Sequence, residues 1–83
     1  MTAVLPRNAV ALAFGATIRK MRTARGLSQE TLAERGGFDR TYPSLLERGL
    51  STPTLTAIFR LADALDITPE TLLSDAYDRI RGP

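Results

Sequence analysis

The side chains best suited to bind a ligand lie between Gln29 and Arg48. If Phe38, Pro43 and Leu46 face a core, helical geometry turns most other residues of the second half of this segment outward. The outward positions are Arg40, Thr41, Ser44, Leu45 and Arg48. An arginine can donate two parallel hydrogen bonds to guanine, and a serine or threonine hydroxyl can bond a base edge or a phosphate. This segment therefore has the chemistry needed to contact a nucleic acid.

The amino-acid composition leaves few other kinds of chemistry. The 83 residues include no cysteine and no histidine, which removes disulfides, thiolate ligands, and the usual imidazole bases and metal ligands. The scattered carboxylates, such as Asp63 and Asp66, occupy positions expected for helix surfaces and turns. We therefore expect no enzyme, no metal site and no cofactor.

The charged residues are divided unevenly along the chain. Residues 14–52 contain seven Lys or Arg and four Asp or Glu, whereas residues 53–83 contain three and five. The basic half includes the candidate contact residues, which is the electrostatic pattern expected for a protein that binds a polyanion.

Two short helices joined by a tight turn are predicted over about residues 28–48. Ser28 can cap the first helix, because its hydroxyl can accept a hydrogen bond from an unpaired amide of the first turn. Gly36-Gly37 supplies the backbone freedom that ends this helix. Asp39 can cap the second helix, which is expected to run to about Arg48 and to end at Gly49.

This segment resembles the helix-turn-helix of the Cro and lambda-repressor-like (Xre) family. The matching positions are Gln29, Ala33, Gly37 and the ending Leu46-Glu47-Arg48-Gly49. The string Asp39-Arg40-Thr41-Tyr42 also resembles restriction–modification controller proteins. The resemblance covers about residues 14–73 and implies a compact, all-α, five-helix, lambda-repressor-like DNA-binding domain. It also implies that Gln29 bonds a phosphate near the start of its helix, where the helix dipole attracts an anion.

Two residues depart from the family pattern. Pro43 stands where isoleucine or valine is usual, and Gly36 stands where a larger apolar residue is common. One hypothesis is that these two small or compact residues face each other and bring the helices closer together. The alternative is a slightly looser core at this corner.

The first of the remaining helices is predicted over Ala9–Ala24. Asn8 can cap it, and Arg19, Lys20 and Arg22 are expected on its outer side. Residues 1–7 form a loose N-terminal arm in this prediction. The apolar run at the start of the helix is too short to cross a membrane.

Two further helices begin at similar dipeptides. Thr52-Pro53 and Thr68-Pro69 each combine a capping threonine with a proline in the first helical position. The first helix should end at Leu65. Its inward positions should be Leu55, Ile58, Ala62 and Leu65. The second includes residues 75–83 as a C-terminal extension. With no segment typical of a strand, the prediction is a single all-α domain over residues 1–83.

The resemblance and the helical geometry together suggest roles for the individual side chains. Arg40 is the best candidate to read a base, and its alternative role is a phosphate contact. Arg48 is expected to contact a phosphate. Leu45 either contacts a thymine methyl group or belongs to the core. Tyr42 either reaches a phosphate through its hydroxyl or packs through its ring.

A dimer interface is predicted on the C-terminal helix. An apolar stripe at spacings of three and four residues runs along it, whereas Leu72 should pack on the chain's own core. The members of the stripe are Leu73, Ala76, Tyr77 and Ile80. The alternative is that this end of the chain folds back as additional core.

Taken together, these features predict a sequence-specific DNA-binding transcriptional regulator. It should act as a homodimer on a near-palindromic operator in double-stranded DNA, because one helix-turn-helix makes too few base contacts for useful discrimination. We expect a cytoplasmic protein with no membrane partner and no small-molecule effector. The alternative is an antitoxin or other protein-interaction module with the same fold.

Overall fold

Five α-helices make up the fold in the computed structural model, which describes residues 5–82. They are α1 (Arg7–Ala24), α2 (Gln29–Gly36), α3 (Tyr42–Glu47), α4 (Leu55–Ala64) and α5 (Pro69–Arg81). Within these residues no strand is present. The helix pair α2 and α3 forms the predicted helix-turn-helix, so the all-α, five-helix, lambda-repressor-like fold is confirmed.

The core lies where all five helices meet. Its fully buried members are aliphatic residues that recur at helical spacing, and Leu72 is among them, as predicted. The largest of these residues are Ile18, Leu32, Leu46, Leu61, Leu65 and Leu72. Burying a side chain of this size contributes about 1.5–3 kcal/mol, so this cluster is the main source of stability.

Helix α1 approaches the backbone of α3 directly. A Cβ atom on Gly15 would lie only 2.0 Å from the carbonyl oxygen of Leu46. Any side chain at this position would push the two helices apart. The absence of a side chain at residue 15 therefore sets the distance between α1 and the helix expected to contact DNA.

A polar clamp joins α1 to α5. The hydroxyl of the fully buried Thr17 donates to Asp75 Oδ2 at 2.7 Å, and Lys20 Nζ lies 2.9 Å from Asp75 Oδ1. Arg79 Nε donates to the same carboxylate at 2.9 Å. The hydrogen bonds from Lys20 and Thr17, followed by that from Arg79, hold the pKa of Asp75 well below its usual range.

Three predicted helix starts are wrong. The first turn of α1 begins directly after Pro6, so Asn8 lies inside the helix and caps nothing. Thr54, not Thr52, caps α4, because it is the residue that is extended and accepts a hydrogen bond from the Ala57 amide at 3.1 Å. Helix α3 begins at Tyr42 rather than beside Asp39.

Two other predicted starts and both predicted stops are confirmed. The hydroxyls of Ser28 and Thr68 each accept a hydrogen bond from the backbone amide of the residue three positions later. Gly37 and Gly49 end α2 and the helix-turn-helix with φ values of 70° and 72°, in the left-handed region that favours glycine.

Two expectations about side-chain direction are also wrong. Leu55 is exposed instead of facing the core with the rest of α4. Arg22 is turned inward, to the start of α2 and the end of α3. The space above Gly36 is occupied by the ring of Phe38, 2.4 Å from where a Cβ would lie. Phe38, rather than Pro43, therefore accounts for the glycine. Of the predicted arm, residues 1–4 lie outside the described residues, and Arg7 belongs to α1.

The Asp75 clamp predicts a specific dependence of stability on pH. Because its folded-state pKa is lowered, the stabilisation is complete above the unfolded-state pKa of about 4 and is lost as the pH falls below it. We expect Asp75→Asn to reduce the free energy of unfolding by about 1–3 kcal/mol at neutral pH, and the difference from the unmodified chain to shrink in acid. Urea titrations at several pH values test this. Asp78→Asn, a control at an exposed position of the same helix, should leave the free energy of unfolding at neutral pH nearly unchanged; an Asp75→Asn deficit that is equally large at pH 3 and pH 7 would contradict the assignment.

Candidate nucleic-acid interface

A concave surface lies between the start of α2 and the outward side of α3. Its lining residues are Gln29, Glu30, Arg40, Thr41, Ser44, Leu45 and Arg48. The structure thus brings together six of the seven predicted contact residues, and adds Glu30, which the sequence did not single out. Tyr42 lies outside this lining.

A buried ion pair positions the two helices behind this surface. Arg22 Nε lies 2.6 Å from Glu47 Oε2, and a second guanidinium nitrogen donates to Glu47 Oε1 at 3.0 Å. Only 13% of the Arg22 side chain and 3% of the Glu47 side chain are exposed. Arg22 also donates to the carbonyl of Leu27 at 2.7 Å. The hydrogen bond with Glu47 raises the pKa of Arg22, so the guanidinium remains charged.

The same carboxylate orients Gln29. The amide nitrogen of Gln29 donates to Glu47 Oε1 at 3.1 Å. An amide group has two hydrogens, so one remains for a ligand at the start of α2. Glu47 therefore determines which way the predicted phosphate-binding group points.

Arg40 stands at the exposed edge of the concave surface. Its guanidinium lies 3.7 Å from Glu30 Oε2, and both side chains are largely exposed. Exposed ion pairs of this kind contribute about 0–1 kcal/mol. Arg40 can therefore leave Glu30 at little cost to contact another group.

Asp39 shapes the turn that leads into α3. Its carboxylate accepts a hydrogen bond from the backbone amide of Thr41 at 3.0 Å and another from the hydroxyl of Thr41. Its carbonyl accepts the amide of Tyr42 at 3.0 Å. The bonds from Thr41 lower the pKa of Asp39, and the nearby charge of Arg40 lowers it further. Asp39 thus stabilises the turn before the helix.

Tyr42 packs at the corner of the motif. Its half-buried ring lies on that of Phe38, with the ring centroids 4.8 Å apart. Burial raises the pKa of Tyr42. This position corresponds to the packing alternative for Tyr42.

Leu45 lines the concave surface. It is half-buried there, whereas the neighbouring Leu46 is fully buried in the core. Of the two alternatives for Leu45, this position favours an apolar contact with a ligand.

An apolar groove occupies a different part of the molecule. Its lining comes from the first half of α1, the connector before α4, α4 and α5, and includes all four predicted interface residues. Ala76 is buried in the chain's own core and forms the floor of the groove. Leu73 and Tyr77 are exposed and Ile80 is half-buried. The concave surface and the groove share no lining residue.

Comparison with known proteins agrees with this architecture. The family model for helix-turn-helix proteins matches residues 18–72, which is more than half of the chain. Control protein C.BamHI from Bacillus amyloliquefaciens is 37% identical over 67 residues, covering 80% of this chain and 83% of that protein. The chain belongs to the Xre-like helix-turn-helix family.

Solved structures of restriction–modification controller proteins have the same fold. C.AhdI from Aeromonas hydrophila superposes with a TM-score of 0.73 at 50% identity, covering 75% of this chain and 94% of that chain. The C.Esp1396I tetramer in complex with its natural 35-base-pair operator gives a TM-score of 0.79 at 25% identity, covering 87% of this chain and 95% of that chain.

The helix-turn-helix depends on two residues, Arg22 and Glu47, that sequence reasoning did not identify as partners. A signal was present in their spacing. Glu47 follows Pro43 by four residues, and Arg22 follows Ile18 by four. Both charges therefore share the inward side of their helices, where a charge needs a partner.

Across residues 5–82, no helix is long and apolar enough to span a membrane. In the same part of the chain, no group of Asp and Glu side chains is arranged to hold a metal ion.

The position of Leu45 in this helix-turn-helix predicts the effect of Leu45→Ala. Because Leu45 lines the surface, we expect the melting temperature to change little and the affinity to fall chiefly for duplexes with thymine at one position. Thermal unfolding and titration of matched duplexes measure the two effects. Leu46→Ala is the control, and should destabilise the fold by about 2–5 kcal/mol. A similar loss of stability in Leu45→Ala would assign Leu45 to the core instead.

Proposed function

We propose that this protein is a sequence-specific DNA-binding transcriptional regulator that acts as a homodimer on a near-palindromic operator. One observation carries the proposal: Arg40, Thr41, Ser44 and Arg48 face outward together on a helix-turn-helix. The major groove of B-DNA admits a helix and presents a different donor and acceptor pattern for each base pair. The relatives named as control or controller proteins support this role, and one of them is bound to its operator.

Phosphate contacts would position the protein on the duplex. Gln29, held by Glu47, presents its remaining amide hydrogen beside the first turn of α2, and Arg48 is exposed at the other end of the surface. Such contacts fix the register but carry no sequence information. Because each neutralised phosphate releases counterions, binding should weaken steeply with salt.

The homodimer would bind both half-sites of one operator. Two recognition helices must lie about 34 Å apart to enter successive major grooves on one face of DNA. The apolar groove beside α5 supports such an arrangement, because it exposes Leu73 and Tyr77 and lies apart from the concave surface. The same groove is where a toxin or another protein partner would bind if the chain were an antitoxin.

The proposal includes no catalytic activity and no small-molecule effector. A change in protein concentration, a partner or proteolysis would then carry the signal. Since its partner is genomic DNA, the protein would act in the cytoplasm.

Selection from a pool of random duplexes tests the function itself. A regulator of this kind should enrich one near-palindromic consensus. Enrichment of no sequence would favour the interaction module instead.

Arg40→Ala should relax sequence choice. If the forked guanidinium of Arg40 donates to guanine O6 and N7, its loss costs about 1–3 kcal/mol of binding free energy on the preferred site and removes the preference at one base pair. Arg40→Lys, which keeps the charge but lacks the fork, should lose the same preference. Binding titrations on the selected and on random duplexes measure this. Equal weakening on both duplexes by Arg40→Ala, with full recovery in Arg40→Lys, would make Arg40 a phosphate contact.

Leu73→Lys should weaken the dimer. Leu73 is 46% exposed at the groove, so a charge there should oppose association without disturbing the core. Sedimentation measures the molecular mass, and operator binding should weaken in parallel. The matched control is Leu55→Lys, which changes a 69% exposed leucine on α4. A dimer that survives Leu73→Lys combined with Tyr77→Lys, or that is lost in Leu55→Lys alone, would place the interface elsewhere.

A further inference from the structure

The hydroxyl group of Thr41 already uses its only hydrogen within the protein. Thr41 Oγ1 donates to Asp39 Oδ2, the same oxygen that accepts the Thr41 amide at 3.0 Å. An ionised carboxylate can only accept hydrogen bonds, and a threonine hydroxyl has one hydrogen and two lone pairs. Thr41 is therefore left with lone pairs alone to offer a ligand, although it lines the concave surface.

This polarity excludes one class of contact. Phosphate oxygens are acceptors, and a hydroxyl without a free hydrogen cannot donate to them. The same argument applies to guanine O6 and thymine O4, which are acceptors in the major groove. Adenine N6 and cytosine N4 are amino groups that donate there.

We infer that Thr41, oriented by Asp39, selects a base with an exocyclic amino group, adenine or cytosine, in the major groove. The inference rests on the proposed DNA-binding function and adds a polarity rule to it. Thr41 is the specificity-determining residue, and Asp39 is a positioning residue that acts through it.

The neighbouring Arg40 has the opposite polarity. A guanidinium offers only donors, so Arg40 matches the acceptor edge of guanine while Thr41 matches an amino group. Two consecutive side chains at the entrance to α3 would then read two different kinds of base edge. In the free protein each of the two side chains lies beside an acid. Arg40 lies 3.7 Å from Glu30, and Thr41 donates a hydrogen bond to Asp39.

The test compares consensus sequences selected from a random duplex pool by the full chain and by three variants. The unmodified chain should enrich adenine or cytosine at one position of each half-site. Thr41→Val, which has the same shape but no hydroxyl, should lose the preference at that position alone. Thr41→Ser, which keeps the hydroxyl, should retain it. Asp39→Ala removes the acceptor of the Thr41 hydroxyl and frees its hydrogen, so guanine or thymine should become tolerated there.

A second measurement removes the amino group from the DNA. Purine replaces the selected adenine, or 2-pyrimidinone replaces the selected cytosine, so that no bulk is added. The unmodified chain should lose affinity about tenfold, the amount expected for one lost base contact. Thr41→Val should bind the two duplexes equally.

The outcomes separate this inference from the proposed function. If the unmodified chain selects a consensus that Thr41→Val leaves unchanged, the polarity rule is wrong and the regulator remains. Selection of guanine or thymine at the position that depends on Thr41 would also overturn the rule. If the unmodified chain enriches no sequence, the proposed function fails, and the inference fails with it. Circular dichroism confirms that each variant is folded.

Discussion

One buried carboxylate holds the helix-turn-helix together. Glu47, at the end of α3, accepts two hydrogen bonds from Arg22 of α1 and one from Gln29 of α2. Removing one partner of such a pair leaves an uncompensated charge and costs about 3–5 kcal/mol. The angle between α2 and α3, and with it the concave surface that carries Arg40, depends on this contact. The same carboxylate also orients the side-chain amide of Gln29. Glu47 therefore serves both the stability of the fold and the proposed contact with DNA.

Helix α1 is the element against which both functional regions are placed. On one side, Gly15 lets it touch the α3 backbone, and Arg22 pairs with Glu47. On another, Thr17 and Lys20 hold Asp75 of α5. The proposed DNA surface and the proposed dimer groove are therefore attached to the same rigid helix, which fixes their relative orientation. That is the geometrical requirement for two recognition helices at a set separation.

The turn before α3 shows how local hydrogen bonding changes what a side chain can recognise. Asp39 satisfies the amide and the hydroxyl of Thr41, so the helix begins at Tyr42 and Thr41 presents only lone pairs. Asp39 was predicted to cap the helix directly. Aspartate stabilises either a cap or a turn two residues ahead, and Pro43 in the second helical position favours the later start, because it needs no amide partner there.

Local patterns determined the fold class, the five helices, the buried Leu72 and the outward set from Arg40 to Arg48, because helical periodicity and caps depend on residues only a few positions apart. Tertiary structure decided what joins distant residues. Arg22 and Glu47 are 25 positions apart and Thr17 and Asp75 are 58 apart. Local spacing shows at most that such a residue faces inward, and not which distant residue it contacts. Tertiary structure also decided that Ala76 is buried beneath an otherwise exposed stripe and that Leu45 lines the surface, because helix packing alone sets which part of an apolar stripe is covered.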